Sequence, residues 1–213
     1  MQKMLVPALF SLALVLQTGC ASTAVGHVSK DAAPKEVKAA DAGRGYSQHP
    51  EAVALIDEMV AEGADRAYLV SLLDQAQRQE SILKAMSRPA EKRLTWGEYR
   101  KIFIEQKRID QGIQFWREHT DTLARAEQQY GVPAEVIVAI IGVETRYGRI
   151  TGSYRVLDAL ATLGFDYPKR GAFFRGELKE YVQLVKEEQV DPLSLKGSYA
   201  GAMGYGQFIP SSF

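Results

Sequence analysis

The segment Val132–Gly148, VPAEVIVAIIGVETRYG, restricts the fold more than any other stretch of the chain. Positions 136–143 hold only apolar residues and one glycine, a run too continuous for an ordinary amphipathic surface helix. The run predicts a helix buried nearly all round. Gly131 suits the end of a preceding helix, and Pro133 suits the first turn of this one. No convincing alternating strand pattern and no internal repeat accompanies it, so the expected fold class is mainly α.

Glu144 follows that run. It lies three, four and seven residues after Ile141, Ile140 and Ile137, and so shares their helix face. A carboxylate on a buried face is costly unless paired or neutral, so its pKa is expected to rise. A carboxylic acid that keeps its proton near neutral pH can donate it to a glycosidic oxygen. The alternative is a structural glutamate paired with Arg146 or Arg149, and the helix alone does not decide between the two.

The surrounding segments extend the helical pattern. Val53, Ile56, Met59 and Val60 recur at helical spacing after Pro50, and Tyr68, Leu69, Leu72 and Leu73 do so after Asp65. Thr95-Trp-Gly-Glu98 has capping-box spacing and predicts a helix through Tyr99, Ile102 and Phe103. One helix is expected over about 110–130, with Ile113, Trp116, Leu123 and Ala126 on one side. Two more are expected at about 156–163, stopped by Gly164, and at about 173–189. Pro210-Ser-Ser-Phe213 reads as the start of a further helix, so the domain is expected to be incomplete at its C-terminus.

Residues 1–20 have the layout of a secretory signal. Lys3 precedes an apolar stretch from Met4 to Leu16, and Thr18-Gly19 leads into Cys20, the chain's single cysteine. The stretch is shorter than the roughly 20 apolar residues that a membrane span needs. The arrangement resembles a bacterial lipobox, with Gln17 where leucine is usual, and implies acylation of Cys20. Ala21 after the cysteine favours the outer membrane. The expected location is its periplasmic face in a Gram-negative bacterium. Residues 21–49, rich in Ala, Lys, Asp, Gly and Ser, read as a flexible tether, and 50–213 as the folded domain.

Composition removes several function classes. Lys plus Arg and Asp plus Glu balance at 26 each, without the basic footprint of a nucleic-acid binder. Three histidines and one cysteine do not assemble a Cys/His zinc site. No Asp-x-Asp-x-Asp-Gly loop occurs, so no metal is expected. No GxGxxG or Walker loop occurs either, so no nucleotide or other cofactor is expected.

A second motif, Ser198-Tyr-Ala-Gly-Ala-Met-Gly204-Tyr-Gly-Gln207-Phe-Ile-Pro-Ser211, places three glycines and two alanines within seven residues. Such a stretch lets backbone or a sugar approach closely, and Ser198 and Gln207 offer hydrogen bonds to a carboxyl or hydroxyl. Together with Glu144-Thr-Arg-Tyr-Gly148 it resembles the paired motifs of B-type lytic murein transglycosylases. Leu157-Asp-Ala-Leu-Ala-Thr-Leu163, Asp166-Tyr-Pro-Lys-Arg170 and Phe173-Phe-Arg-Gly-Glu-Leu178 are also similar to that family. The likeness runs from roughly Pro50 to Phe213.

The resemblance implies a lysozyme-like helical catalytic domain with an additional helical segment. It implies peptidoglycan glycan strands as substrate, Glu144 as acid and base, and Ser198 as the residue orienting its carboxyl. It also implies sugar contact at Gln207, and glycan or peptide contact at Tyr99, Lys169 and Arg170. Most glycosidases use two carboxylates, yet no second one stands in these motifs, and Asp158 and Asp166 are weak candidates. The implied chemistry uses Glu144 alone and ends in a 1,6-anhydro sugar. Two other readings stay open: a hydrolytic muramidase using the same glutamate, and a non-catalytic peptidoglycan-binding lipoprotein.

Overall fold

In a computed structural model, residues 45–87 and 94–213 are described. The signal segment with Cys20 and the tether up to residue 44 lie outside the described residues. The element order is α1 (Pro50–Ala61), α2 (Arg66–Asp74), α3 (Glu80–Met86), α4 (Trp96–Phe103), α5 (Gln106–Glu118), α6 (Thr120–Tyr130) and α7 (Ala134–Thr145). Then follow β1 (Tyr154–Arg155), α8 (Val156–Asp166), α9 (Gly171–Glu187), β2 (Lys196–Gly197) and a 3-10 turn at Pro210–Ser212. β1 and β2 pair antiparallel, Tyr154 opposite Gly197 and Arg155 opposite Lys196.

Helix starts follow local chemistry. His49 and Asp65 accept the amides of Glu51 and Tyr68 at the heads of α1 and α2. Thr95 and Glu98 form a reciprocal capping box at the head of α4. Gly131, at φ 68°, closes α6 with a left-handed residue, where a side chain would be strained.

The helix buried on all sides is α8, not α7. Val156, Leu157, Ala159, Leu160, Ala161 and Leu163 are wholly inaccessible. They pack against α9 and α3, in one core with Phe174, Leu178 and Tyr181 of α9 and Ile56, Leu69 and Ile82 of α1, α2 and α3. A second, smaller core of Phe115, Leu123, Ala134 and Val138 forms where α5 and α6 meet α7.

Three expectations change. The helix expected over 110–130 is broken at His119 into α5 and α6, and the Thr120 hydroxyl turns back onto the carbonyls of Trp116 and Arg117. Gly164 does not stop α8, which runs on to Asp166. A Cβ at Gly164 would stand 3.2 Å from Arg175 Cγ, so this glycine admits the neighbouring helix. The folded part also begins before Pro50. Tyr46 and Ser47 are buried, and the Tyr46 hydroxyl donates to Asp166 at 2.5 Å.

Burial, then the hydrogen bond to Asp166, holds the Tyr46 hydroxyl well above the ordinary tyrosine value of 10.0. Burial does the same for Tyr181, whose hydroxyl donates to the Pro192 carbonyl. Both groups keep their protons in the folded chain at a pH where the unfolded chain loses them. Their contribution is therefore complete below pH 10 and declines as pH rises beyond it. The urea midpoint is expected to fall between about pH 9.5 and 11.5. Replacing Tyr46 with Phe should flatten that fall, and an unchanged slope would refute the assignment.

Candidate active site

Glu144 occupies the last turn of α7, exposed to solvent. The burial expected for it is absent. α7 packs on α5 and α6 through Ala134, Val138, Gly142 and Thr145, small or narrow residues that allow close approach. The bulkier Val136, Ile140 and Val143 face outward at 43%, 48% and 48% exposure. Glu144 stands one turn beyond Ile140, at the end of an open apolar stripe. Its carboxylate makes no hydrogen bond or ion pair among the described residues. Arg146 reaches instead toward Glu105, at 3.9 Å.

After α7 the chain turns sharply through three successive left-handed residues, Arg146 (φ 49°), Tyr147 (φ 61°) and Gly148 (φ 78°). The two that carry side chains each cost about 1–2 kcal/mol in this region, so neighbouring contacts must hold them there. Tyr147 is wedged between helices. A Cβ on Gly142 would lie 2.7 Å from its ring, and one on Gly112 of α5 would lie 2.6 Å from its hydroxyl. Thr145, only 1% exposed, supplies the second constraint. Its hydroxyl accepts from the Gly148 amide at 2.9 Å and points its proton between the carbonyls of Tyr205 (3.0 Å) and Ile141 (3.2 Å).

The bond to Tyr205 joins the two sequence motifs. Residues 197–208 fold back on themselves through bridges from Met203 to Gly197 and Phe208. The stretch is fixed to the Glu144 side at two further points. The backbones of Gly152 and Gly197 touch so closely that no Cβ fits at Gly152, and the Tyr205 ring lies against Gly148. Gln207, itself left-handed at φ 51°, donates its side-chain amide to the carbonyls of Thr151 (3.1 Å) and Gly204 (3.0 Å). Ser198 Oγ accepts the amides of Ala202 (3.1 Å) and Ala200 (3.3 Å). No hydrogen bond joins Ser198 to Glu144 among the described residues.

The remaining sequence candidates lie apart from this junction. Tyr99 is exposed on α4 and stacks with Trp96 and Phe103, at centroid distances of 6.1 and 5.1 Å, so it is not a core residue. Lys169 and Arg170 are exposed ahead of α9, where the Arg170 guanidinium lies 4.2 Å from the Phe173 ring centre. Asp158 binds Arg155 at 2.7 and 2.9 Å and accepts the Gln77 amide. Asp166 accepts from Tyr46 and Arg78. Both carboxylates are engaged in holding the fold. Among the described residues no group of three or more His, Cys, Asp or Glu is arranged to hold a metal ion.

Sequence reasoning missed three contributors. Thr145 stood in the motif without an assigned task. Gly142, a glycine inside a helix, was the one available sign of the Tyr147 wedge. Glu177, buried on α9, accepts the amide and hydroxyl of Ser211 at 3.0 and 2.8 Å and so anchors the far end of the glycine-rich motif. No local pattern announces it.

The profile of the family described as "Transglycosylase SLT domain" matches residues 47–213. The chain is 48% identical over 181 residues to membrane-bound lytic murein transglycosylase B of Escherichia coli K12, covering 80% of this chain and 50% of that protein. It is similar to the crystal structure of the soluble lytic transglycosylase SltB1 of Pseudomonas aeruginosa, at 58% identity and TM-score 0.75, covering 77% of this chain and 56% of that one. It also resembles P. aeruginosa SltB3, solved in complex with NAG-NAM-pentapeptide, at 29% identity and TM-score 0.69, covering 76% and 43%. The chain thus spans about half the length of the curated relative it matches.

Replacing Thr145 with Val keeps the shape and removes the hydroxyl, leaving the Gly148 amide without its partner. A loss of about 1–3 kcal/mol in unfolding free energy is expected by urea titration. Thr145→Ser, which keeps the hydroxyl, should lose less. Equal losses in the two variants would show that the methyl group, not the hydroxyl, matters.

Proposed function

Because the chain belongs to the transglycosylase SLT-domain family, we propose that Glu144 is the acid and base of a lytic transglycosylase acting on the glycan strands of peptidoglycan. One observation carries this reading. The Glu144 carboxyl stands free at the end of an apolar stripe, while Thr145 beside it ties its helix to the glycine-rich Gln207 loop. The names and bound ligand of the relatives supply the substrate class.

The chemistry needs one carboxyl. Glu144 gives its proton to the oxygen linking N-acetylmuramic acid to N-acetylglucosamine, and the C1–O bond breaks. The positive charge developing at C1 is relieved by the sugar's own 2-acetamido group or by nearby dipoles. The carboxylate then takes the proton of the muramic acid 6-hydroxyl as that oxygen bonds to C1. Glu144 ends protonated as it began, the product carries a 1,6-anhydro ring, and no water is consumed. A nucleophile within the same sugar has the proximity advantage without a bound water. The engagement of Asp158 and Asp166 elsewhere favours this route over one needing a second carboxylate.

The other site residues take their places around that step. Gln207 keeps its side-chain oxygen for a sugar hydroxyl, and Ser198 keeps its hydroxyl proton for the Glu144 carboxyl. Tyr99 offers a ring face, and Lys169 and Arg170 offer charge to stem peptides. A glycan lying along Val136, Ile140 and Val143 would cover apolar surface and draw Glu144 out of water. The name of the E. coli relative, membrane-bound, supports attachment to a membrane, and a murein substrate favours its periplasmic side. Acylated Cys20, in the outer membrane, would be the anchor and residues 21–44 the spacer. Palmitate labelling that survives Cys20→Ala would exclude this anchor.

Purified peptidoglycan digested with the protein and analysed by mass spectrometry should yield anhydromuropeptides. Glu144→Gln is expected to lower the rate by about 10²–10⁴-fold without moving the thermal midpoint, since the carboxyl is exposed and unpartnered. Reducing-end products would make the protein a hydrolase that keeps Glu144 as its acid. Glycan binding without cleavage by either form would leave a binding lipoprotein.

A further inference from the structure

We propose that Arg108 is a positioning residue for Glu144, acting as a cationic cap on the C-terminal end of α7; this rests on the reading of Glu144 given above. Arg108 is the third residue of α5 and is only 6% exposed. Its Nη1 donates to the carbonyl of Gly142, two residues before Glu144, at 3.1 Å.

The last four carbonyls of any helix lack partners within it. Here the chain leaves α7 through the left-handed turn at 146–148, and the cap amides of Arg146 and Tyr147 reach back to Ile141. The Ile150 amide takes the Thr145 carbonyl at 2.9 Å. The Gly142 carbonyl is left to Arg108. A buried guanidinium there also complements the negative end of the helix dipole.

Packing does not account for this arginine. Its Nε–H is buried with no hydrogen-bond partner, and no carboxylate among the described residues pairs with it. The ring of Phe103 lies 5.2 Å from the guanidinium carbon. A half-satisfied buried cation is costly, and an apolar side chain of similar length would fill the space without that penalty. What the guanidinium adds is a fixed last turn. Glu144 has no hydrogen-bond or ion-pair partner among the described residues, so the backbone of that turn determines where its carboxyl stands. Small displacements of a reacting group can cost about a hundredfold in rate.

The test compares the wild type with Arg108→Met and Arg108→Lys by muropeptide kinetics and by hydrogen exchange at the Tyr147 and Ile150 amides. Arg108→Met should lower kcat by about ten- to a hundredfold with KM changed less than about twofold. Exchange at the two amides should accelerate at least about tenfold, and Arg108→Lys should recover part of both. Unchanged exchange, or unchanged kcat in a folded variant, overturns the proposal. So does a rise in KM without loss of kcat. If the wild type makes no anhydro product, the reaction assigned to Glu144 fails and the exchange result alone decides the cap. Should Arg108→Met unfold, Arg108→Gln, which keeps a donor without the charge, is judged by the same criteria.

Discussion

Because α8 is enclosed on every side, the two polar side chains buried along it must find their partners inside the protein. Asp158 takes the Gln77 amide and Arg155, and Thr162 takes the Gln79 amide. These bonds fix the connection between α2 and α3 against the central helix. β1 runs directly into α8, so the strand that pairs with β2 is held at its root. The glycine-rich loop leaves from β2, and Gly201 in that loop sits so close to Leu160 that a Cβ there would lie 2.5 Å from the leucine side chain. The glycine-rich loop therefore rests on the least accessible of the described helices.

The helix that carries Glu144 is supported differently. α7 presents its narrow face to α5 and α6 and keeps its wide apolar face open. Rigidity at its end comes from a few directed contacts rather than from depth. The Thr145 hydroxyl ties its last turn to Tyr205, the Tyr147 ring wedges against Gly112 of α5, and the Arg108 guanidinium reaches in from α5 to Gly142. Such an arrangement combines an accessible carboxyl with a fixed backbone, which burial alone would not allow.

Features set by near neighbours were legible in the sequence. The Thr95 capping box, the Gly131 stop and the helices after Pro50 and Asp65 all form as read, because each depends on residues within one or two turns. The mainly helical, lysozyme-like class was legible as well, and the two motifs singled out for the candidate site are joined in the structure through Thr145 and Tyr205. What failed needed knowledge of which element covers which. The α7 run is more apolar than α8, yet α8 is the buried one, since the polar Asp158 and Thr162 disguise its interior position. The apolar positions of 113–126 continue across the break at His119, so periodicity gives no warning of it. Glu177 and Arg108 act on partners 34 residues away, and no local spacing encodes that.

The pairing of β1 with β2 has a bearing on how the protein is made. Tyr154 and Gly197 are joined across the whole α8–α9 hairpin. Closing that pair costs loop entropy, and the packing of the two helices on each other brings its ends together. α7 is built on local contacts with α5 and α6, whereas the Gln207 loop reaches it only across that hairpin. The junction of Thr145 with Tyr205 thus depends on a two-helix hairpin that lies between its partners in the sequence.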